Sequence, residues 1–559
     1  MHQPQYREPI GGEYRLPWTY LHAIKDYVDM VAILEEIPDA RAVVNFAPVL
    51  LDQIEDYARQ VDLFLKGDGV IRDPLLAMLD QPALPVRAEE RAVLIKNCLR
   101  SNEERLINRF PQYRHLADMA AWFGDHPDSM IYLDEQYLAD LLVWYHIAWL
   151  GETVRRDNEA VQRLIEKRSC YDLHDRRVLL EVIGELLNGV IARYRTLAEQ
   201  QRIELSMTPY AHPIVPLLLD FSCALEAMPD APLPKSPAYP GGEARAQWHM
   251  QQGLATFRHH FGMEPQGCWP SEGGVSAPAL KLFSDAGFRW AASGEGVFRN
   301  SLARADDGAV EHNDGHELYA PYRVVGSGDI ACFFRDDGLS DLIGFTYTKW
   351  HGDDAVNDLI EHLMNIANGC PASGHDCVVP IILDGENAWE HYADNGYHFL
   401  SGLYAALAAH PRIDLTTFSQ CLGDAASVKT LPEMVSGSWV YGTFSTWIGD
   451  KDKNRGWDLL CEAKRAYDEQ VACGALSGER LLAAEKQLAV CEGSDWFWWF
   501  GDYNPQEAVS DFEHLFRVHL SSLYQMISVD PPEALTTVIS QGQGAPSQGG
   551  VMLPGQSSD

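Results

Sequence analysis

Between residues 201 and 383, short apolar runs alternate with helical patterns, and no other feature of the chain restricts its fold as much. The runs are Ile203–Met207, Gly267–Trp269, Arg289–Ala292, Ala331–Phe334 and Val378–Leu383. The stretches between them include Glu243–Phe261, Ala277–Ala286 and Asp354–Asn368, each with apolar residues at three- and four-residue spacing. Strand, helix, strand in this order predicts a parallel sheet with crossover helices. Residues 85–200 read as almost wholly helical. Ala92, Ile95 and Leu99 share one face there, and Leu138, Leu141, Leu142 and Tyr145 another. Residues 13–66 show mixed helical patterns and 396–530 mostly helical ones. The tail, 541–559, is rich in Gly, Gln, Ser and Pro and is expected to be disordered.

Composition removes several classes of function. Lys plus Arg is 44 and Asp plus Glu is 80, a formal charge of −36. Such a chain repels phosphate backbones, and no local basic patch offsets this, so nucleic acid is not an expected partner. A neutral or cationic substrate suits the field better. No apolar run reaches the eighteen or so residues of a membrane span, and Met1 to Glu13 lacks a signal-peptide core. Eleven cysteines without a C-x-x-C pair read as reduced thiols. A cytoplasmic location follows as the expectation.

In parallel sheets the functional side chains come from the C-terminal ends of strands. Past the five runs lie Pro209, Tyr210 and His212; Ser271 and Glu272; Glu295; Arg335, Asp336 and Asp337; and Asp384 and Glu386. If the chain stays extended through Asp384-Gly385-Glu386, both carboxylates face one cavity. One of two neighbouring carboxyls then keeps its proton to higher pH, which is how a general acid is made at neutral pH. The plainer reading is a helix N-cap at Asp384. Glu272 follows Trp269-Pro270-Ser271 and precedes two glycines. An indole beside a carboxylate suits a sugar site, the ring stacking on the apolar face of a pyranose; the alternative is a surface or capping Glu. Trp389, Trp439, Trp447, Trp496, Trp498 and Trp499 lie near Gly- or Asp-rich turns and could serve the same surface, whereas Trp144 and Trp457 read as core. No H-E-x-x-H, Walker or dinucleotide-binding motif occurs. His2 and His212 read as hydrogen-bonders to substrate, and His249, His259 and His260 as a solvated helix face. No metal or cofactor is expected, although His2, His212 and Asp336 would be the residues to supply a metal cluster.

The set His2-Gln3-Pro4, Ile203-Glu204, Pro209-Tyr210-Ala211-His212-Pro213, Trp269-Pro270-Ser271-Glu272 and Leu383-Asp384-Gly385-Glu386-Asn387 resembles glycoside hydrolase family 57. Trp439 to Lys453 and Glu492 to Trp499, with Asp495 among them, look like its bacterial members. The match runs from residue 2 to about 504. The resemblance implies a distorted seven-stranded (β/α) barrel over residues 1–400, including a helical insertion at about 85–200, and a C-terminal helical domain over 401–535. It also implies action on α-glucan with retention, without a cofactor. Glu272 falls on the family's nucleophile and Asp384 on its acid/base; His2, Glu204, Trp269 and Glu386 fall on positions lining the sugar subsite. Asn387 to Tyr392 looks closest to the amylase and amylopullulanase-like group; the family also holds branching enzymes and 4-α-glucanotransferases. Family members usually carry an apolar strand and another His just before His-Gln-Pro. This sequence starts at Met1, so either the first barrel strand is missing or the start lies inside the motif, and closure of the barrel at that edge stays an open point.

Overall fold

A computed structural model describes residues 1–305, 316–370, 377–423 and 428–544. Seven strands form one sheet: β1 (Ala42–Phe46), β2 (Ile203–Met207), β3 (Gly267–Cys268), β4 (Trp290–Ser293), β5 (Tyr322–Val324), β6 (Ala331–Phe334) and β7 (Lys429–Leu431), in the order β1-β2-β3-β4-β6-β5-β7. All neighbours are parallel except β5 and β6. Crossovers run through the helices Gly242–Phe261, Ala277–Asp285 and Glu295–Ala305. The parallel sheet with crossover helices therefore forms, but as a barrel left open: β1 and β7 are its edges among the described residues.

Three short strands, β1, β5 and β7, lie outside the runs expected to be strands, β1 within a stretch read as helical, and Val378–Leu383 forms no ladder. Its backbone is tied to loops instead. Val378 N–H donates to the Tyr319 carbonyl at 3.0 Å, Asp336 N–H to the Pro380 carbonyl at 2.8 Å, and Ile382 N–H to Ser340 Oγ at 3.2 Å. Pro380 has no N–H to give, which breaks any ladder at mid-run.

The chain's first residue is held against the open edge. Met1's amine donates to the Asn45 carbonyl at 2.7 Å, and Ala47 N–H donates to the Met1 carbonyl at 3.0 Å, so Met1 sits beside β1 opposite Phe46. On its other side runs Gly385: a Cβ there would fall 2.7 Å from Met1 Cγ. Only glycine lets the two segments pass this closely.

Residues 85–200 are helical, with Ala88–Cys98, Pro111–Asp125, Glu135–Trp149 and Leu173–Glu199 as the main elements. Glu135–Trp149 is buried from Tyr137 to Trp149, which fits its largely apolar sequence. In Ala88–Cys98 the inward face is Arg91, Leu94, Ile95 and Cys98, not Ala92 and Leu99. Arg91 turns inward because its guanidinium finds the carbonyls of Pro85 and Leu133, at 2.9 and 2.6 Å, which satisfies a buried cation's donors. Cys370 and Cys377 are joined as a disulfide, which corrects the reading of all cysteines as reduced. The chain turns back after the helix Gly352–Gly369 and brings their Cα atoms to 6.3 Å, a proximity no local cysteine motif announces. No helix among the described residues is long and apolar enough to cross a membrane. Of the tail expected to be disordered, residues 545–559 lie outside the described residues.

Candidate active site

A cavity of about 2980 Å³ is lined by residues that follow β2, β3 and β6, by the run 378–387, and by residues of the open edge strand β1. Glu272 and Asp384 both line it, as do His2, His212, Trp269 and Asp495. Glu272 follows β3 in a short 3₁₀ turn, Ser271–Gly273, and takes φ +58°, a left-handed conformation that costs a non-glycine residue on the order of 1–2 kcal/mol. His212, after β2, is likewise at φ +61°. Two strained residues from neighbouring strand ends thus face the same space. The Glu272 conformation is held by Trp439, whose backbone N–H donates to the Glu272 carbonyl at 3.1 Å and whose indole N–H donates to Glu272 Oε2 at 3.0 Å. Trp269 meets Trp439 edge to face, with centroids 5.3 Å apart, and the Arg335 guanidinium lies 5.4 Å from the Trp439 ring.

His2 stacks on His212, rings 3.7 Å apart and nearly parallel. His2 Nε2 bonds Asp495 Oδ1 at 2.7 Å, and His212 Nδ1 bonds Ser494 Oγ at 2.8 Å and lies 3.9 Å from Glu272 Oε1. Burial, and then the neighbouring His2, push the His212 pKa well below the ordinary value, so His212 is neutral. Ser494 N–H donates to the His212 carbonyl at 2.9 Å, so a loop far along the chain fixes this pair.

The carboxyls perturb one another. Burial, and then the Asp384 charge, raise the Glu272 pKa to about 8; burial, and then the Glu386 charge, raise Asp384 to about 6. Two such neighbours titrate as a pair that keeps one proton near neutrality, and the larger rise at Glu272 draws that proton there rather than to Asp384, a bias against which two contacts work. Trp439's donated N–H favours charge on Glu272, and Glu386's charge favours the proton on Asp384. Asn387 Nδ2 donates to Asp384 Oδ2 at 3.3 Å. Glu386 itself is buried, and its Oε1 accepts from the His2 N–H at 2.9 Å and from Gln3 Nε2 at 3.2 Å. It holds the N-terminal segment in place as well as lining the cavity. Trp389 also lines the cavity, from within the apolar cluster formed with Tyr392 and Phe399.

Three expected substrate contacts lie elsewhere. Glu204 stands at the N-terminal start of β2, away from the cavity lining, and its carboxylate is satisfied by Trp290 Nε1 at 2.7 Å and by Ser419 N and Oγ at 3.0 and 2.6 Å. Trp447 and Trp496 are fully buried in the main core; Trp447's carbonyl accepts from Trp457 Nε1, and Trp496 Nε1 donates to the Val490 carbonyl at 2.8 Å. Asp336 is not with the histidines: it caps a helix through Leu339 N–H and accepts from Tyr319 OH. Instead His2, His212 and Asp495 converge, their ligand atoms within 4.8 Å of one another. His249, expected on a solvated face, is buried and bonds Glu492 Oε2 at 2.8 Å. Trp439, one of the aromatics expected near the sugar surface, proves to be a partner of Glu272, a role its Gly/Ser-rich setting did not announce. Trp498 and Trp499 also line the cavity.

Solved structures of similar fold include a GH57 branching enzyme of Thermococcus kodakaraensis (TM-score 0.57, 15% identity, covering 94% of this chain and 88% of that one). A GH57-type branching enzyme of Pyrococcus horikoshii matches with TM-score 0.57 and 14% identity over 99% and 97% of the two chains. An α-amylase of Thermotoga maritima matches with TM-score 0.54 and 14% identity over 94% and 91%. At these identities the likeness shows a shared fold. The sequence model of glycosyl hydrolase family 57 matches residues 1–434, more than half of the chain, and this protein belongs to that family.

Proposed function

We propose that the protein cleaves α-1,4-linked glucan by double displacement, with Glu272 as nucleophile and Asp384 as acid/base. The observation that carries this is the pair itself: Glu272, just after β3, and Asp384, at the end of the run 378–383, line one cavity as buried carboxyls with raised pKa values, beside a Trp269–Trp439 aromatic corner. Glu272 attacks the anomeric carbon and forms a glycosyl-enzyme while Asp384 protonates the leaving oxygen. Asp384 then takes a proton from the incoming water or sugar hydroxyl. Neutral His212, His2 and Asp495 line the cavity beside Glu272 as hydrogen-bonding groups for the sugar. Water as acceptor makes the protein a hydrolase of α-amylase type; a sugar hydroxyl as acceptor makes it a glucanotransferase or branching enzyme. Incubation with starch, glycogen, pullulan and maltopentaose, followed by product sizing, separates them: shorter sugars with new reducing ends mean hydrolysis, longer or branched ones mean transfer. No new product from any of the four refutes the reading.

A second reading rests on His2, His212 and Asp495, whose convergence could hold a metal ion as in metal-dependent glycosidases. A chelator would then abolish activity and added divalent metal restore it; the double-displacement scheme expects activity to survive chelation.

Two further outcomes follow from the electrostatics. The active form keeps the shared proton, so kcat/KM falls at alkaline pH as the pair loses it. Glu386's charge raises the Asp384 pKa. Glu386→Gln removes that charge and should move the alkaline limb to lower pH; a limb unmoved or shifted upward contradicts the coupling. Trp439→Phe removes the N–H that stabilises ionised Glu272. The Glu272 pKa then rises, the acid limb moves to higher pH, and kcat/KM falls about tenfold to a hundredfold, the worth of a hydrogen bond to a charged group. Wild-type kinetics in this variant would show that the contact has no catalytic weight.

A further inference from the structure

Three side chains outside the proposed reaction meet at the base of the segment that carries Asp384. Cys370 follows the last turn of the helix Gly352–Gly369, its N–H donating to the Ile366 carbonyl at 3.0 Å. Cys377 starts the run that leads through Pro380 to Asp384. His316 precedes the 3₁₀ turn Glu317–Tyr319, whose Tyr319 carbonyl accepts from Val378 N–H at 3.0 Å. One ring nitrogen and the two sulfurs lie within 4.8 Å of one another. His316 Nδ1 is buried and has no hydrogen-bond partner, an arrangement that costs free energy unless something binds there. The ring also lies where a Cβ on residue 369 would come within 2.3 Å of its Nε2, so it reaches the cysteines only because Gly369 has no side chain.

We infer that, with the Cys370–Cys377 disulfide reduced, these three residues hold one zinc-class divalent cation. Two thiolates and an imidazole form the soft-to-borderline donor set that zinc prefers over magnesium or calcium, and the fourth tetrahedral position is left to water or another ligand. Reduction transfers two electrons and two protons from a dithiol reductant to the disulfide, the dithiol itself becoming a disulfide. Zinc then displaces the two thiol protons. The site thus alternates between two cross-links of the same segments: a covalent one when oxidised, and a metal-mediated one that also recruits His316 when reduced. Either state pins the start of the run leading to Asp384. Cys370 and Cys377 line the same cavity as the carboxylate pair but take no part in the proposed reaction, and the test reads metal binding rather than glucan activity.

The test uses the whole chain, reduced with dithiothreitol, freed of reductant without oxygen, and titrated with zinc against a chromophoric chelator; cobalt(II) serves as spectroscopic substitute. The expected result is about one zinc per chain at this site, a thiolate-to-cobalt charge-transfer band, and loss of both after reoxidation. His316→Ala, which leaves the cysteine pair intact, should weaken zinc binding by at least about tenfold. Cys370→Ser/Cys377→Ser should abolish the charge-transfer band. The inference is overturned if reduced wild type binds zinc no more tightly than the double variant. It is equally overturned if cobalt binds without thiolate bands, which would place the ion at His2, His212 and Asp495 instead, or if His316→Ala leaves zinc affinity unchanged.

Discussion

Glu272→Ala is expected to lower turnover of an α-glucosyl fluoride by at least about a thousandfold, because the step that forms the glycosyl-enzyme loses its nucleophile. Azide should restore activity by entering the space vacated by the carboxylate and attacking from the same face, giving a glucosyl azide of inverted configuration. Asp384→Ala should behave differently. The fluoride needs little acid assistance, so the glycosyl-enzyme still forms, and azide intercepts it from the opposite face to give the retained azide. The two variants therefore report the two roles separately. Undiminished turnover by Glu272→Ala, or inverted azide from Asp384→Ala and retained azide from Glu272→Ala, would sink or reverse the assignment. The Ala variant loses the side-chain contacts to His212 and the Trp439 indole but keeps the Trp439 N–H bond to the residue 272 carbonyl that holds the turn, so near-UV circular dichroism should show it folded.

Glu492→Gln is expected to be the most destabilising single change near the site. Glu492 is buried, with Arg245 bidentate on its carboxylate (2.8 Å to each oxygen), His249 Nε2 at 2.8 Å and Tyr239 OH at 2.5 Å. Burial opposes its ionisation, but Arg245 and His249 outweigh this and hold its carboxyl down to about 2. Replacing it leaves the Arg245 charge buried and uncompensated, at a cost of about 3–5 kcal/mol. The sign of the pH dependence follows from the lowered pKa. The wild type carries this contribution in full above the unfolded carboxyl's range and loses it as pH falls toward 2. The thermal-midpoint deficit of Glu492→Gln should thus be largest at neutral pH and shrink in acid. Arg245→Met/Glu492→Leu should recover part of it, since no charge is then left unpaired. A deficit independent of pH, or a double variant worse than the single, would show that the network acts only through packing. Because Ala211 N–H also donates to His249 Nδ1 and Ser494 follows Glu492 closely, the same change should loosen the loops that carry His212 and Asp495.

What was legible in the sequence is local. Alternating apolar and polar residues over Ile203–Met207 with turn chemistry at their end announce β2, and the helical spacing of residues 135–149 announces a buried helix, because side-chain periods of 2 and 3.6 are written within one or two turns of chain. The strand-end rule likewise drew attention to Glu272, since parallel strands deliver their C-terminal residues to one face, and to Asp384, whose apolar run reaches the same cavity without pairing into the sheet. Partner choice was not legible. Glu204 has the same residue type as Glu272, yet its position at the opposite end of β2 hands it to Trp290 and Ser419. Trp447 and Trp496 share the turn-rich settings of Trp439, but only Trp439 reaches a carboxylate. Which aromatic meets Glu272, which acid neutralises Arg245 and His249, and where two cysteines come to lie beside His316 all depend on segments well separated along the chain closing on one another. Such contacts are set by how whole layers pack, where burial of a polar group is tolerated only if its partner arrives from elsewhere in the chain. The sequence by itself determined the parallel centre of the sheet, its crossover helices and which acids follow its apolar runs, because those are written in local periodicity, whereas the tertiary structure alone decided the sheet's edges and which of those groups became neighbours.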